Sequence, residues 1–351
     1  MIETVVALPQ KTNVTSKDVA RLAGVSQPTV SRAFTPEASI SPETRKKVMA
    51  AAAKLGYKPN AIARSLITQQ TNIVGVVMAN LSNSLFYTGV IEQLTQRLQS
   101  MGQQTLLFTA SPAQSVDEIL PNLLQYRVRG LVVASSTPSH EVQEECARLG
   151  TPVVLLNRFD AQNLAYSVCC DNVAGAQAVA DALVAGKHKR FGYIAGIAAT
   201  ATNRMRLEGF RKGLAAHGIH NIAMAQGHYT YESGYAAAIE LLTKPERPDA
   251  IFCAADIMAL GALDAARGEL GLAVPDDVSI IGFDDIPVSS WSAYGLTTIR
   301  QPVTEMIEKT IEIILGDGEK RPLNQTTNLP GTLIWRSSAR KQLSVNSEEK
   351  R

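Results

Sequence analysis

Cysteine is scarce and badly placed for chemistry. The four residues Cys146, Cys169, Cys170 and Cys253 make no C-x-x-C pair, so neither a disulfide scaffold nor a cysteine metal site is expected. Adjacent thiols at 169 and 170 suit reduced core residues, which favours a cytoplasmic, reducing setting. Long apolar runs are missing too: no stretch nears the ~20 residues of a helical membrane span. The opening MIETVVALPQKTN is too short and too polar for a secretory signal, so no membrane association is expected. Catalytic signatures are absent as well. There is no G-x-x-x-x-G-K-[ST], no strand-placed G-x-G-x-x-G, no G-x-S-x-G elbow and no H-E-x-x-H. The five histidines are not spaced as a metal set, and His217-x-x-His220 reads as helix-end chemistry. The expectation is therefore no enzyme, no cofactor and no metal.

The chain does have length and an apolar reserve: 351 residues, 45% hydrophobic and 19% charged. That exceeds one domain and supports sizeable cores. Net charge is +2, but it is unevenly spread. Residues 1–70 carry ten cations and four anions, leaving an excess of anions in the remainder. A basic head on an acidic body points to a polyanionic partner for the head.

Residues 15–59 read as three short helices. Thr15-x-x-Asp18 forms a capping-box-like start, with Thr15 accepting from freed N–H groups. Val19, Ala20 and Leu22 supply an apolar stripe, and Ala23-Gly24-Val25 makes a tight turn. Ser26 caps a second helix with Pro28 in its first turn. Ser41-Pro42-Glu43 starts a third, which runs through Val48, Met49, Ala52 and Leu55 and stops at Gly56. Two short helices around a glycine turn, braced by a third, can hold one helix out towards a major groove. Its outward residues are Gln27, Thr29, Ser31 and Arg32. Gln can pair with adenine, and Arg with guanine or phosphate. Composition alone also allows a small bundle with a solvated polar face.

The run SKDVARLAGVSQPTVSRAF…SPETRKKVMAAAAKLGYKPNAIARSL resembles the LacI/GalR family of bacterial transcription regulators. DVA-x-x-AGVS-x-x-TVSR is its helix-turn-helix, and GY-x-PN-x-x-ARSL its hinge. The likeness continues to about Arg340. It implies operator contacts from Thr15, Ser16, Ser26, Gln27, Pro28, Thr29, Ser31, Arg32, Tyr57, Asn60 and Arg64. It also implies a hinge helix at Ala61–Ile67 whose Leu66 wedges into the minor groove. A linker with fraying helical character is the plain alternative for that short segment.

From residue 71 the pattern alternates between strand and helix. Strands are expected at 73–78, 105–108, 130–134, 153–156, 190–195, 250–253 and 278–283. Helices are expected at 92–101, 142–149, 174–184, 204–217, 235–242 and 258–267. Such alternation means parallel sheets covered by helices. The fold class expected is an N-terminal all-α helix-turn-helix domain plus an α/β periplasmic-binding-protein-like domain of two doubly wound subdomains. The boundaries read as 14–59 for the DNA-binding domain, 60–70 for the hinge and 71–340 for the effector-binding domain. Its subdomains are about 71–168 with 301–328, and about 169–300 with 329–340; residues 341–351 form a tail without leucine heptads.

Asp284 ends a buried run in the motif GFDD, where a carboxylate can accept sugar hydroxyls; Asp285 reads as a loop cap. Arg206, in NRMR, offers a planar guanidinium, with a solvated helical arginine as the plain alternative. The resemblance places effector contacts at Arg206 and Asp284 and a stacking aromatic at Tyr229. Asn157 stands where the family often has Asp, and Phe86 and Tyr87 wall the pocket or belong to the core. Ala255 departs from the family's A-N-D-x-M-A-x-G-A-L, removing an amide near the effector, while Asp256 remains able to cap a helix. The implied function is a sequence-specific regulator, most often a repressor. Its partners would be palindromic double-stranded operator DNA, a sugar or sugar acid between the subdomains, and a second copy of itself as a homodimer. A transport solute-binding protein, and a doubly wound enzyme with a DNA-binding head, are the alternatives from other classes.

Overall fold

The computed structural model describes residues 14–35, 38–58, 71–79, 85–110, 115–134, 137–159, 165–316 and 326–341. The chain divides into two compact units between Thr71 and Asn72.

The first unit holds α1 (Ser16–Ala23), α2 (Gln27–Ala33) and α3 (Pro42–Leu55). Their ends follow from local chemistry. Ser26 and Ser41 accept from the amides of Thr29 and Thr44, and Pro28 and Pro42 occupy first turns. Gly24 closes α1 at φ 66°, a left-handed value that any side chain would strain. Thr15 and Asp18 form the expected capping box, in which the Thr15 amide and hydroxyl both donate to the Asp18 carboxylate, at 3.0 and 2.7 Å. That pairing lowers the Asp18 pKa. The core is small: Val19, Ala20, Val30, Ala33, Val48, Ala51 and Ala52, flanked by an edge-on Phe34–Tyr57 pair. Leu22, read as part of the apolar stripe, is exposed, and so is Met49 on α3. With seven buried residues that are all Val or Ala, three short helices leave no third layer to cover them. Arg45 compensates by donating to the carbonyls of Ala33, Thr35 and Ala38, tying down the backbone beyond α2.

The second unit contains two six-stranded sheets. The first takes β1 (Ile73–Ala79), β2 (Gln104–Ala110), β3 (Gly130–Ala134), β4 (Val153–Leu156), β5 (Tyr166–Cys170) and β11 (Thr326–Leu329). They lie in the order β11-β5-β4-β3-β1-β2, all parallel. The second takes β6 (Phe191–Ala195), β7 (Ile222–Gln226), β8 (Ala250–Cys253), β9 (Ser279–Asp284), β10 (Thr297–Arg300) and β12 (Thr332–Ile334). Its order is β12-β10-β9-β8-β6-β7, parallel except for the antiparallel β10–β12 pair. Central strands such as Gly130–Ala134 and Val153–Leu156 are buried throughout, because helices cover both faces.

The helices are α4 (Leu85–Ser100), α5 (Val116–Leu124), α6 (His140–Arg148), α7 (Asn172–Ala185), α8 (Ala201–Ala216), α9 (Tyr231–Leu242), α10 (Asp256–Asp264) and α11 (Val303–Leu315). Helix α4 starts seven residues before the expected 92, which puts Phe86 and Tyr87 in its first turn. Helix α10 passes into a π-helical turn, Ala265–Glu269. The chain passes between sheets at β5–α7, at β10–α11 and at β11–β12, so each sheet is completed by a strand from the far end of the sequence.

Both sheets share one strand order around their first strand, with the neighbours of β1 and of β6 reached in opposite directions. Beyond the carboxyl ends of such strands the following loops diverge and leave a crevice. On the second sheet, that point is flanked by residues 196–203 after β6 and 254–256 after β8.

Candidate functional sites

In the first unit, Gln27, Pro28, Ser31 and Arg32 are exposed on α2, with Thr29 half-buried. Gln27 Nε2 donates to Ser16 Oγ at 3.0 Å, so the starts of α1 and α2 meet in one polar patch. Ser26 Oγ and Thr29 Oγ1 lie 2.8 Å apart. Tyr57 is half-buried against Phe34, and Thr15 is engaged with Asp18. The expectations for Asn60, Arg64 and Leu66 lie outside the described residues.

In the second unit, the buried constellation centres on Arg206, which is 3% exposed. From the second turn of α8, its Nε donates to Asn172 Oδ1 at 2.8 Å, Nη1 to the Ala254 carbonyl and Nη2 to Asp284 Oδ1 at 3.4 Å. Its guanidinium lies 3.7 Å over the Phe283 ring. The plain alternative of a solvated arginine is thereby excluded. Asp284 leaves β9 at φ 130° and also accepts from Gln301 Nε2 at 2.6 Å. Burial pushes its carboxyl pKa up, opposed mainly by Arg206.

Asp285 is not a simple loop cap. It accepts from Arg300 Nε and Arg336 Nη2, each at 2.6 Å, locking β10 to the segment after β12. Asp256 does not cap α10 with its side chain. It is fully buried and accepts from the Ile286 amide at 3.0 Å, from Ser289 Oγ at 2.7 Å and from Thr298 Oγ1. The carboxylate thus shapes the loop that carries Asp284.

Tyr229 sits at φ 60°. Its hydroxyl is 3.3 Å from Thr200 Oγ1 and 3.5 Å from Thr202 Oγ1. The ring lies so close over Gly196 that a Cβ there would fall 2.1 Å from Cζ. Gly196→Ala is therefore expected to displace Tyr229 and blunt any ligand response, while leaving DNA binding intact. Ligand titrations followed by operator anisotropy check this; an unaltered dose response would remove Tyr229 from the site. Asn157 follows β4 at φ 55°, is 4% exposed, and its Oδ1 has no hydrogen-bond partner among the described residues. Tyr87 is buried, with its pKa raised by burial, and lies close enough to feel the charges of Arg158, Asp284 and Arg206.

A cavity of about 640 Å³ opens between the start of α4 and the residues after β9 and β10. Phe86 and Asp284 line it, with Gln301, Arg300 and Thr304 among the others. The structure thus brings Arg206, Asp284 and Phe283 together directly, sets Tyr87 and Tyr229 beside them, and places Phe86 on the cavity wall. Sequence reasoning missed Gln301, Thr202, Asn172 and Arg158. The signal for Arg158 was its place directly after Asn157; Gln301 follows a short strand that no pattern revealed. The four cysteines are buried free thiols, with burial holding Cys169 and Cys170 up at about 12. No helix among the described residues is long and apolar enough to cross a membrane.

A capped helix that presents polar side chains from a small bundle, and a two-sheet α/β unit with polar groups converging at its strand ends, define a helix-turn-helix protein with a periplasmic-binding-protein-like body. Residues 15–60 match the family of bacterial regulatory proteins, lacI family, and residues 180–339 match the periplasmic binding protein-like domain. The chain is 32% identical over 334 residues to catabolite control protein A of Priestia megaterium, covering 93% of this chain and 100% of that protein. It is 34% identical over 330 residues to the HTH-type transcriptional regulator GalS of Salmonella typhimurium, covering 93% and 96%. Among solved structures, the lac repressor dimer bound to operator and the anti-inducer ONPF superposes with a TM-score of 0.82 at 29% identity, covering 93% and 99%. The transcriptional regulator CelR–cellobiose complex gives 0.68 at 29% identity, covering 93% and 100%. The chain belongs to the lacI family of bacterial regulatory proteins.

Proposed function

We propose that the protein is a cytoplasmic repressor that binds a palindromic operator as a homodimer. Residues 14–59 read the DNA, 60–70 form the hinge with Leu66 as wedge, and 71–340 sense a small polar metabolite, a sugar or sugar acid. The observation that carries the sensor reading is the buried Arg206–Asp284 pair beyond β9, stacked on Phe283. Burying a guanidinium and a carboxylate is costly unless both are fully engaged. Setting them beyond the strand ends of a doubly wound sheet, where such folds bind ligands, supports a recognition role. The CelR neighbour is a complex with cellobiose, which supports a sugar-like ligand.

Two-fold symmetry of the protein would be mirrored in the operator. Ligand closing the two lobes would reposition the hinges, and operator and ligand affinities would be coupled reciprocally. Fluorescence anisotropy across a palindrome library, repeated at several salt concentrations, tests the DNA reading. Sequence preference that survives salt is expected; binding that depends on salt alone would overturn it. Within the preferred site, Gln27→Ala and Arg32→Ala are each expected to cost about 1–3 kcal/mol, roughly 5- to 150-fold, and to relax preference at single base positions. A uniform loss across all sequences would reassign those residues to phosphate contact.

A further inference from the structure

The cleft contains a second arginine whose charge is not answered in the same way. Arg158 follows the end of β4 by two residues and is half-buried. Its Nη1 donates to Thr202 Oγ1 at 3.4 Å, so the side chain reaches from the lobe of the first sheet to α8 in the lobe of the second. Arg206 has Asp284 as counter-ion. Among the described residues, Arg158 forms no ion pair, and its Nε is buried without a hydrogen-bond partner. The adjoining Asn157 Oδ1 is buried and unpartnered too.

The side chains in its immediate hydrogen-bond chain are neutral hydroxyls, with the Arg206–Asp284 pair as the nearest charges that act on the same Tyr87 hydroxyl. Thr202 Oγ1 contacts both Arg158 and the Tyr229 hydroxyl, and Thr200 Oγ1 lies 3.3 Å from the same hydroxyl. The guanidinium charge also acts on the Tyr87 hydroxyl and the Cys169 thiol, opposing the effect of burial on each. Thr202 belongs to the first turn of the 16-residue α8, whose amino end adds positive potential and free N–H groups. A half-buried guanidinium that pairs with no carboxylate among the described residues, beside a helix amino terminus and hydroxyls, is a ready seat for an oxyanion.

We propose that Arg158 is the anion-recognising residue of the cleft. It would take a carboxylate or phosphate group of the effector together with the hydroxyls of Thr202 and Tyr229, so that the effector is an acid and not a neutral sugar. The anion would replace the single Arg158–Thr202 bond with a bridge between the lobes, which ties closure to ligand charge. This inference rests on the cleft being the sensor site.

The test is thermal unfolding of the full chain at fixed ionic strength, titrated with inorganic phosphate, D-glucuronate, D-glucose 6-phosphate and D-glucose against sodium chloride. Saturable stabilisation by at least one of the three anions, beyond any by D-glucose, is expected. Glucuronate against the two phosphate-bearing probes separates carboxylate from phosphate. Arg158→Gln should weaken the apparent affinity for that anion about ten-fold or more, and Arg158→Lys should restore part of it. No saturable anion effect in the wild type, or an equal one in Arg158→Gln, overturns the proposal. Operator anisotropy separates the two readings. If the sensor reading alone fails, Arg158-dependent stabilisation persists while operator affinity ignores every probe. If the anion inference alone fails, D-glucose shifts operator affinity equally in wild type and Arg158→Gln.

Discussion

Arg206→Met is expected to abolish the ligand response and to lower the melting temperature of the body by roughly 10 °C. The side chain is 3% exposed and joins three separate parts of the second lobe: Asn172 at the start of α7, the Ala254 carbonyl after β8, and the end of β9, where it meets the Asp284 carboxylate and lies over the Phe283 ring. Methionine of similar reach keeps some contact with Phe283 but leaves the Asp284 carboxylate without its cation. An unpaired buried charge of this kind costs about 3–5 kcal/mol, and about 2–4 °C accompanies each kcal/mol in a unit of this size. Arg206→Lys keeps the charge but cannot supply three divergent donors at once, so it is expected to fall between the two. Scanning calorimetry with operator titrations reads both effects. An undisturbed melting temperature would show that the network is not formed in solution. Unchanged operator affinity without ligand is expected, because the α2 side chains belong to a different unit.

Asp256→Ala is expected to be the most damaging single change in the sensor loop. The carboxylate is fully buried and accepts from Ile286 N, Ser289 Oγ and Thr298 Oγ1. Removing it strands three donors, each worth about 1–3 kcal/mol when left unsatisfied. A total above about 3 kcal/mol is expected even with partial relaxation. The consequence reaches the site, since Ile286 and Ser289 lie in the short segment that follows Asp284. Ligand affinity should fall along with stability.

The pH dependence has a definite sign. Burial, followed by the neighbouring Asp284, raises the Asp256 pKa above its ordinary 3.8. The folded state then holds protons that the unfolded state has released. That contribution to stability is complete below 3.8 and is lost as pH rises through the folded value. Asp256→Asn cannot titrate, so its stability relative to wild type should improve as pH rises across that window. Urea denaturation at several pH values measures the difference, and a difference that stays flat with pH would contradict the raised value.

Legibility in the sequence tracked the strength of local signals. The ends of α1, α2 and α3 were readable from Thr15, Ser26, Ser41, Gly24 and Gly56, because caps act within a few residues. Central strands such as Val153–Leu156 announced themselves as unbroken apolar runs. Helix α5 did not, since Pro121 lies inside it; β11 and β12 did not either, being edge strands of only four and three residues. Leu22 was misjudged because a helix periodicity gives a face but not the size of the core available to cover it. Within the site, Arg206 and Asp284 came from motif position, but the role of Asp256 came only from tertiary contacts. Its three donors lie 30, 33 and 42 residues away in the chain, a separation no local pattern encodes.

The strand order also governs how the protein must be born. Sheet one is completed by β11, paired with β5, and sheet two by β12, paired with β10. Both closing strands emerge from the ribosome after nearly everything else. A nascent chain cut short at residue 325 would carry β5 and β10 as raw edges, open to pairing with other chains. Neither lobe can therefore be finished before the other is almost synthesised. A prematurely ended message would yield an aggregation-prone product and not a working half-sensor.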